Sequence, residues 1–276
     1  MNKRVFFVVI AVVLFAASCK QDKSNGLTDV DDNGGYASDA SRIELINNDI
    51  ISISDAACFN YNGAFLRTTG VIGTCAIVAT DTASLPHRIH ISFGATDCVC
   101  LDGKKRRGNI IITYNGHYID TGSVHTVSFE NYYQDDIQIL GKINFTRVDT
   151  TIIGNWYYLV SVDDSLNPAP NQYIGWKGTL LRRWIAGAAT GDRNDDVLSI
   201  SGNATLTRAN LHQFGFNIAT PLKFSLGING CYYCQSGVVN VAGYNGPRVL
   251  NYGNGSCDNQ AQLNIGLVPY QIFLTQ

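Results

Sequence analysis

From residue 74 onward, apolar and polar residues alternate with a period of two, and Gly, Asn, Asp and Pro break the alternation at short intervals. This pattern predicts strands over Thr74–Thr80, Arg88–Phe93, Asn109–Tyr114, Ser123–Tyr132, Ile137–Val148, Trp156–Val162 and Tyr173–Leu180. Later strands are predicted over Val197–Ser201, Gln213–Ile218, Val238–Val241, Arg248–Tyr252, Ala261–Ile265 and Tyr270–Leu274. Connections such as Asn115-Gly116 and Thr121-Gly122 are short, and short links between strands make antiparallel hairpins in sequence order. The expected fold class is therefore all-β: an antiparallel meander forming a large twisted sheet or β-sandwich. No amphipathic helix is expected.

The beginning of the chain reads differently. Lys3 and Arg4 precede an unbroken apolar run from Val5 to Ala17, and Ala16-Ala17-Ser18-Cys19 follows. A basic start, a short apolar run and small residues ending on cysteine form a lipoprotein signal, too short to span a bilayer. The expected organisation is a signal peptide over residues 1–18, a lipidated flexible tether over 19–41 and an all-β domain over 42–276. That domain is read either as one unit or as two related halves, 42–150 and 151–276. Cys19 is the expected lipidation site. In the tether, Asp29-Val30-Asp31-Asp32-Asn33-Gly34 matches the first half of a calcium loop, but Ala40 stands where the bidentate Glu belongs. The stretch is read as a solvated acidic linker.

Composition sharpens the picture. Hydrophobic residues make up 45% of the chain and charged residues 15%, which allows a sizeable core, and Glu44 and Glu130 are the only glutamates. The net charge of −2 gives no basis for nucleic-acid binding. Seven cysteines remain after Cys19, and in an oxidising envelope they are read as disulfide formers rather than zinc ligands. Phe93-Gly94 runs into Cys98 as Tyr252-Gly253 runs into Cys257. This repeat predicts one staple per half. Cys75 is expected to pair with Cys98 or Cys100, and Cys257 with Cys231 or Cys234. No metal and no cofactor are expected.

Three constellations could carry chemistry. Lys104-Lys105-Arg106-Arg107 reads as the solvated end of a hairpin, with an anion patch as the functional reading. Tyr132, Tyr133, Trp156 and Tyr158 are the glycan-stacking candidates, with one of each adjacent pair expected in the core. Asp135-Asp136 and Asp195-Asp196 could supply paired carboxylates for glycoside hydrolysis, though each lies beside turn residues. No motif sets a nucleophile beside a base, so no catalytic residue is assigned. Asp81-Thr82-Ala83, Asp149-Thr150-Thr151 and Asp164-Ser165-Leu166 match a loose O-glycosylation pattern and are placed at strand ends or turns.

Phe93-Gly94, Cys98-Val99-Cys100, Asp102-Gly103, Arg106-Arg107-Gly108-Asn109-Ile110 and Asn131-Tyr132-Tyr133 resemble the signature of an uncharacterised Bacteroidetes-type envelope lipoprotein family. So do Arg183-Trp184-Ile185-Ala186-Gly187, Ser236-Gly237 and Tyr252-Gly253-Asn254-Gly255-Ser256-Cys257-Asp258-Asn259. The resemblance implies an all-β envelope lipoprotein and supplies no activity. It places the family's cysteine at Cys231 and makes Cys234 a departure. The expected function is that of a lipid-anchored envelope protein, at the outer membrane, with a structural or ligand-binding role. A glycan or another envelope protein is the expected partner, and a glycan-acting hydrolase using Asp carboxylates is the alternative.

Overall fold

The computed structural model describes residues 35–62, 75–148, 156–188, 190, 192–226, 231, 233–243 and 246–274. The signal segment, Cys19, Asp29–Gly34, Asp149-Thr150-Thr151 and Tyr232 lie outside them. Helix α1, Gly35–Asn62, is followed by β1 (Ile77–Asp81), β2 (His87–Ser92), β3 (Cys98–Val99), β4 (Lys105–Tyr114), β5 (Val124–Gln134), β6 (Ile137–Val148) and β7 (Tyr157–Asn167). The chain continues through β8 (Ile174–Ala186), β9 (Val197–Arg208), β10 (Gln213–Ser225), β11 (Ser236–Ala242), β12 (Arg248–Asn254), β13 (Gln260–Ile265) and β14 (Val268–Phe273).

All fourteen strands join one sheet in sequence order, each pair antiparallel, with the short β3 hanging on β4. The expected meander is thus observed as a single sheet. It runs without a break across the boundary proposed between residues 150 and 151, and the long central strands β6 to β9 straddle that boundary. One face carries the core, with Ile89, Ile110, Val127, Ile143, Val160, Leu206 and Leu250 buried, while alternate residues face outward.

Helix α1 corrects the sequence reading twice. Its first seven residues, Gly35–Ser41, fall in the stretch that the sequence reads as tether, and the sequence pattern predicts no helix here. The reason is geometric. The sheet curves around the helix, so no residue from Gly35 to Asn60 is exposed. A helix buried on every side shows no apolar stripe, and a periodicity test finds nothing to detect. Its Ile-, Ser- and Asn-rich sequence is a mediocre helix former in isolation, so packing supplies its stability.

The helix runs from one rim of the sheet to the other. Near its start, Tyr36 stacks on Phe214 at 4.6 Å and lies under Arg248, at the beginnings of β10 and β12. Near its end, Phe59 packs on Tyr118 and Trp156, in the β4–β5 and β6–β7 connections. At 1.5 Å per residue, 28 residues cover roughly 42 Å.

Two disulfides staple the flanks of this open sheet: Cys75–Cys98 and Cys231–Cys257, with Cα separations of 5.7 and 5.6 Å. Each joins the residue before a hairpin (β1–β2 or β11–β12) to the loop after it. The expected pairings hold, and Cys58, Cys100 and Cys234 are buried free thiols. The repeated blocks are locally alike too: Phe93 and Tyr252 are buried, and Gly94 and Gly253 have φ of 84° and 92°.

Candidate functional site

The interior holds more charge than a core of this size usually carries. Helix α1 contributes Asp39, Glu44, Asp49 and Asp55, and arginines from separate strands meet them. Arg208 of β9 bonds Asp39 at 2.6 Å, Arg106 of β4 bonds Asp49 at 2.6 Å, and Arg182 of β8 stands 3.9 Å from Asp55. Tyr118 donates its hydroxyl to Asp55. Arg106 is wholly buried and also takes Asp102 at 2.6 Å. Burial alone would raise Asp49, but Lys104 and Arg106 outweigh it and hold the carboxylate below its ordinary value. These pairs set the rotation and depth of the helix. Shifting it by one residue would turn the acids away from their arginines.

The middle of the helix is different. Burial pushes Glu44 up from 4.5 to about 7, although the positive charge of Arg182 and the nearby Trp176 indole N–H work against it. Asp164 of β7 is pushed well above its usual value by burial, against the neighbouring Asn47 amide and with repulsion from Glu44. Glu44, Asn47, Asn48 and Arg182 border a cavity of only about 10 Å³, the size of one water molecule. Ile51, Val160, Val162, Leu180 and Ile200 complete its walls, and the space is too small for a substrate.

The basic run Lys104–Arg107 therefore does not cap a solvated hairpin. Strand alternation sends Lys104 and Arg106 inward to Asp49, while Lys105 is exposed. Arg107 bonds Asp97 and Asp136 at 2.6 and 2.8 Å and covers the ring of Tyr133. No anion patch of four charges results. The stacking candidates also separate. Tyr132 and Tyr158 are buried, Trp156 is half-buried against Phe59, and only Tyr133 faces outward, under Arg107. Asp135 and Asp136 form the β5–β6 turn at φ 48° and 66°, and Asp135 accepts from the Lys105 amide. Asp195 accepts from the Thr190 hydroxyl, and Asp196 is buried. Asp164-Ser165-Leu166 does lie at the end of β7 but is buried, whereas Asp81-Thr82-Ala83 is exposed beside the β1–β2 connection.

A surface site that the sequence reading did not single out lies at the C-terminal flank. A groove of about 190 Å³ opens over β12, β13 and β14. Register aligns Asn251, Gln262 and Gln271 in a row across the three strands, and Gln260 lies two residues along from Gln262 on the same face. Asn254, Ser256 and Asp258 close one end from the β12–β13 loop. The amides hold one another in place. Gln271 Nε2 donates to Gln260 Oε1 at 3.4 Å, Gln262 Nε2 to Asn264 Oδ1 at 3.0 Å, and the Gly253 amide to Asn251 Oδ1 at 2.9 Å. Gly255 bonds back to Gln235, and the Cys231–Cys257 disulfide fixes the same loop. Phe273, opposite Gln260 in the register, leaves its ring exposed at the groove's edge.

This lining has one chemical character. It offers amide donors and acceptors, the Ser256 hydroxyl, a Tyr252 whose own hydroxyl is bonded to Ser41, and a single carboxylate, Asp258, with no thiol, imidazole or second acid to make a nucleophile–base pair. The sequence carries the signal as Gln260, Gln262 and Asn264, amides at period two on a strand, which bear no charge and so lack the mark of an ionic site. Among the described residues no cluster of three or more His, Cys, Asp or Glu suits a metal ion, and no helix is long and apolar enough to cross a membrane. No family model, curated protein or solved structure matches the chain.

Proposed function

We propose that this chain is a lipid-anchored envelope protein whose C-terminal groove binds an uncharged polar ligand, a glycan. The observation that carries the reading is the row Asn251, Gln262 and Gln271 with Gln260, next to the exposed ring of Phe273. Sugar hydroxyls are matched by paired amide donors and acceptors, and a sugar's apolar face is matched by an aromatic ring. The groove is smaller than the roughly 300–1,000 Å³ of pockets that engulf drug-sized ligands, so one ring of a longer polymer fits it. The anchor rests on the Lys3–Cys19 signal, and the resemblance to envelope lipoproteins agrees with it.

The test is retention of purified protein on immobilised polysaccharides and peptidoglycan fragments, with released sugars measured in parallel. Retention without release, weakened about tenfold by Gln262→Ala or Phe273→Ala, is expected. Release of sugars that Asp135→Asn or Asp195→Asn abolishes would replace this reading with the hydrolase. An alkyne fatty acid fed to producing cells should label the wild-type protein and spare Cys19→Ser.

A further inference from the structure

Because the strands form a meander, the connections fall on two rims. The β3–β4, β5–β6, β7–β8, β9–β10, β11–β12 and β13–β14 connections share one rim with the start of β1. That rim is also where helix α1 begins, as the contacts of Tyr36 with Phe214 and Arg248 and of Asp39 with Arg208 show. The 34 residues before the helix therefore enter the fold from this side.

The tips on this rim are apolar where turns ordinarily carry polar residues. Ile77 opens β1 and is 76% exposed, Leu211 stands at the β9–β10 turn at 79%, and Leu267 at the β13–β14 turn at 101%. Val99 and Leu101, beside the β3–β4 turn, are exposed as well, and so is Tyr173 at the end of the β7–β8 connection. On the opposite rim, among the described residues, Leu85, Ile185 and Phe273 are the exposed large apolar side chains. One exposed leucine means little, but five tips on one rim form a pattern. They are separated along the rim by polar groups, Lys105 and the Arg107–Asp136 pair.

We infer that this rim rests on the lipid bilayer that holds the anchor, with Ile77, Val99, Leu101, Leu211 and Leu267 dipping into the headgroup boundary. The inference rests on the lipid-anchored part of the proposed function. The occupant is identified by where the chain leads. The segment arriving at this rim carries the apolar run and Cys19. From Cys19 to Gly35 is 16 residues, which at ~3.4 Å each reaches about 55 Å when extended. Such a tether places the module near the bilayer without orienting it. Scattered apolar tips of intermediate size orient it, as short apolar insertions do for proteins lying on a membrane. Tyr173 then sits at the level where aromatic rings collect at membrane interfaces.

Full-length protein carrying Leu267→Trp, Leu211→Trp or Leu85→Trp is to be reconstituted into phosphatidylethanolamine–phosphatidylglycerol vesicles whose acyl chains are brominated. All three sites are exposed, so the fold tolerates the larger side chain. Quenching at positions 267 and 211 at least twice that at 85 is expected. Equal quenching at all three sites in vesicle-bound protein would overturn the inference while leaving the anchor intact. Failure of Cys19 to take up fatty acid, together with no vesicle binding, would remove the anchor reading and this one with it. Sedimentation of the Cys19→Ser protein guards against the other occupant: a dimer that Leu267→Asp dissociates would show that the rim packs on a second copy, and would also overturn it.

Discussion

The buried carboxyl of Glu44 makes a pH-dependent prediction whose sign and size follow from its position. Its value in the folded protein is raised from 4.5 to about 7, first by burial, against Arg182 and Trp176. A carboxyl raised on folding binds its proton more tightly in the folded state. Its contribution to stability is therefore complete below pH 4.5 and is lost as pH rises through 7. At 1.36 kcal/mol per tenfold change in proton affinity, the displacement amounts to about 3 kcal/mol. Glu44→Gln keeps the size and polarity of the side chain and removes the titration. Urea unfolding of the Cys19→Ser full-length protein, followed by tryptophan fluorescence at pH 5 and pH 8, measures both forms. At pH 5 the variant and the parent should lie within about 1 kcal/mol of each other. At pH 8 the variant should be more stable, by up to about 3 kcal/mol. Asp164 is displaced in the same direction, so the variant keeps some pH dependence of its own. A variant destabilised equally at both values, or a parent more stable at pH 8 than at pH 5 by the same amount as the variant, would refute the argument.

Asp49→Ala should cost about 2–4 kcal/mol, because it leaves the buried Arg106 with Asp102 as its carboxylate partner, whereas Asp39→Asn, at a partly exposed pair, should cost under about 1 kcal/mol; urea midpoints compare them. The same Asp49 pair stabilises above about pH 4 and weakens as pH falls below it, the opposite sense to Glu44. Replacing Cys75 and Cys98 together by Ser opens a loop of 23 residues and should cost about 3 kcal/mol; replacing Cys231 and Cys257 should cost a similar amount and also loosen the groove, read as weaker glycan retention.

The strands were readable because a sheet packed on one face imposes a period of two, and β6 occupies Ile137–Val148, the range the pattern predicts. Errors at other ends have local causes. Gly202-Asn203 looks like a turn after Ser201, yet β9 continues to Arg208. Gly202, at φ 123°, lies so close to the Thr179 carbonyl that a side chain would not fit. Asp163-Asp164-Ser165 resembles a turn as well, but Asp164 points inward in β7. The two-residue β3 is too short to show a period. The helix, the inward half of the basic run and the amide groove were hidden for one shared reason. Each depends on what curves around or stacks across it, and that is set by residues on other elements: Asp49 for Arg106, the neighbouring strands for the amide row, and Arg208 and Tyr252 for the helix.

The enclosed helix also dictates an order of assembly. It is made before any strand, yet its partners are spread from Arg106 in β4 to Arg248 and Tyr252 in β12. A chain growing from its N-terminus holds this Ile-rich segment uncovered until the last hairpins exist, and a chain stopped at the midpoint leaves Asp39, Ser41 and Tyr36 with nothing to dock on. The sheet can zip up locally, one hairpin at a time, but the domain is complete only when its final strands close over its first element. The contacts of this helix with both early and late strands tie the two halves together.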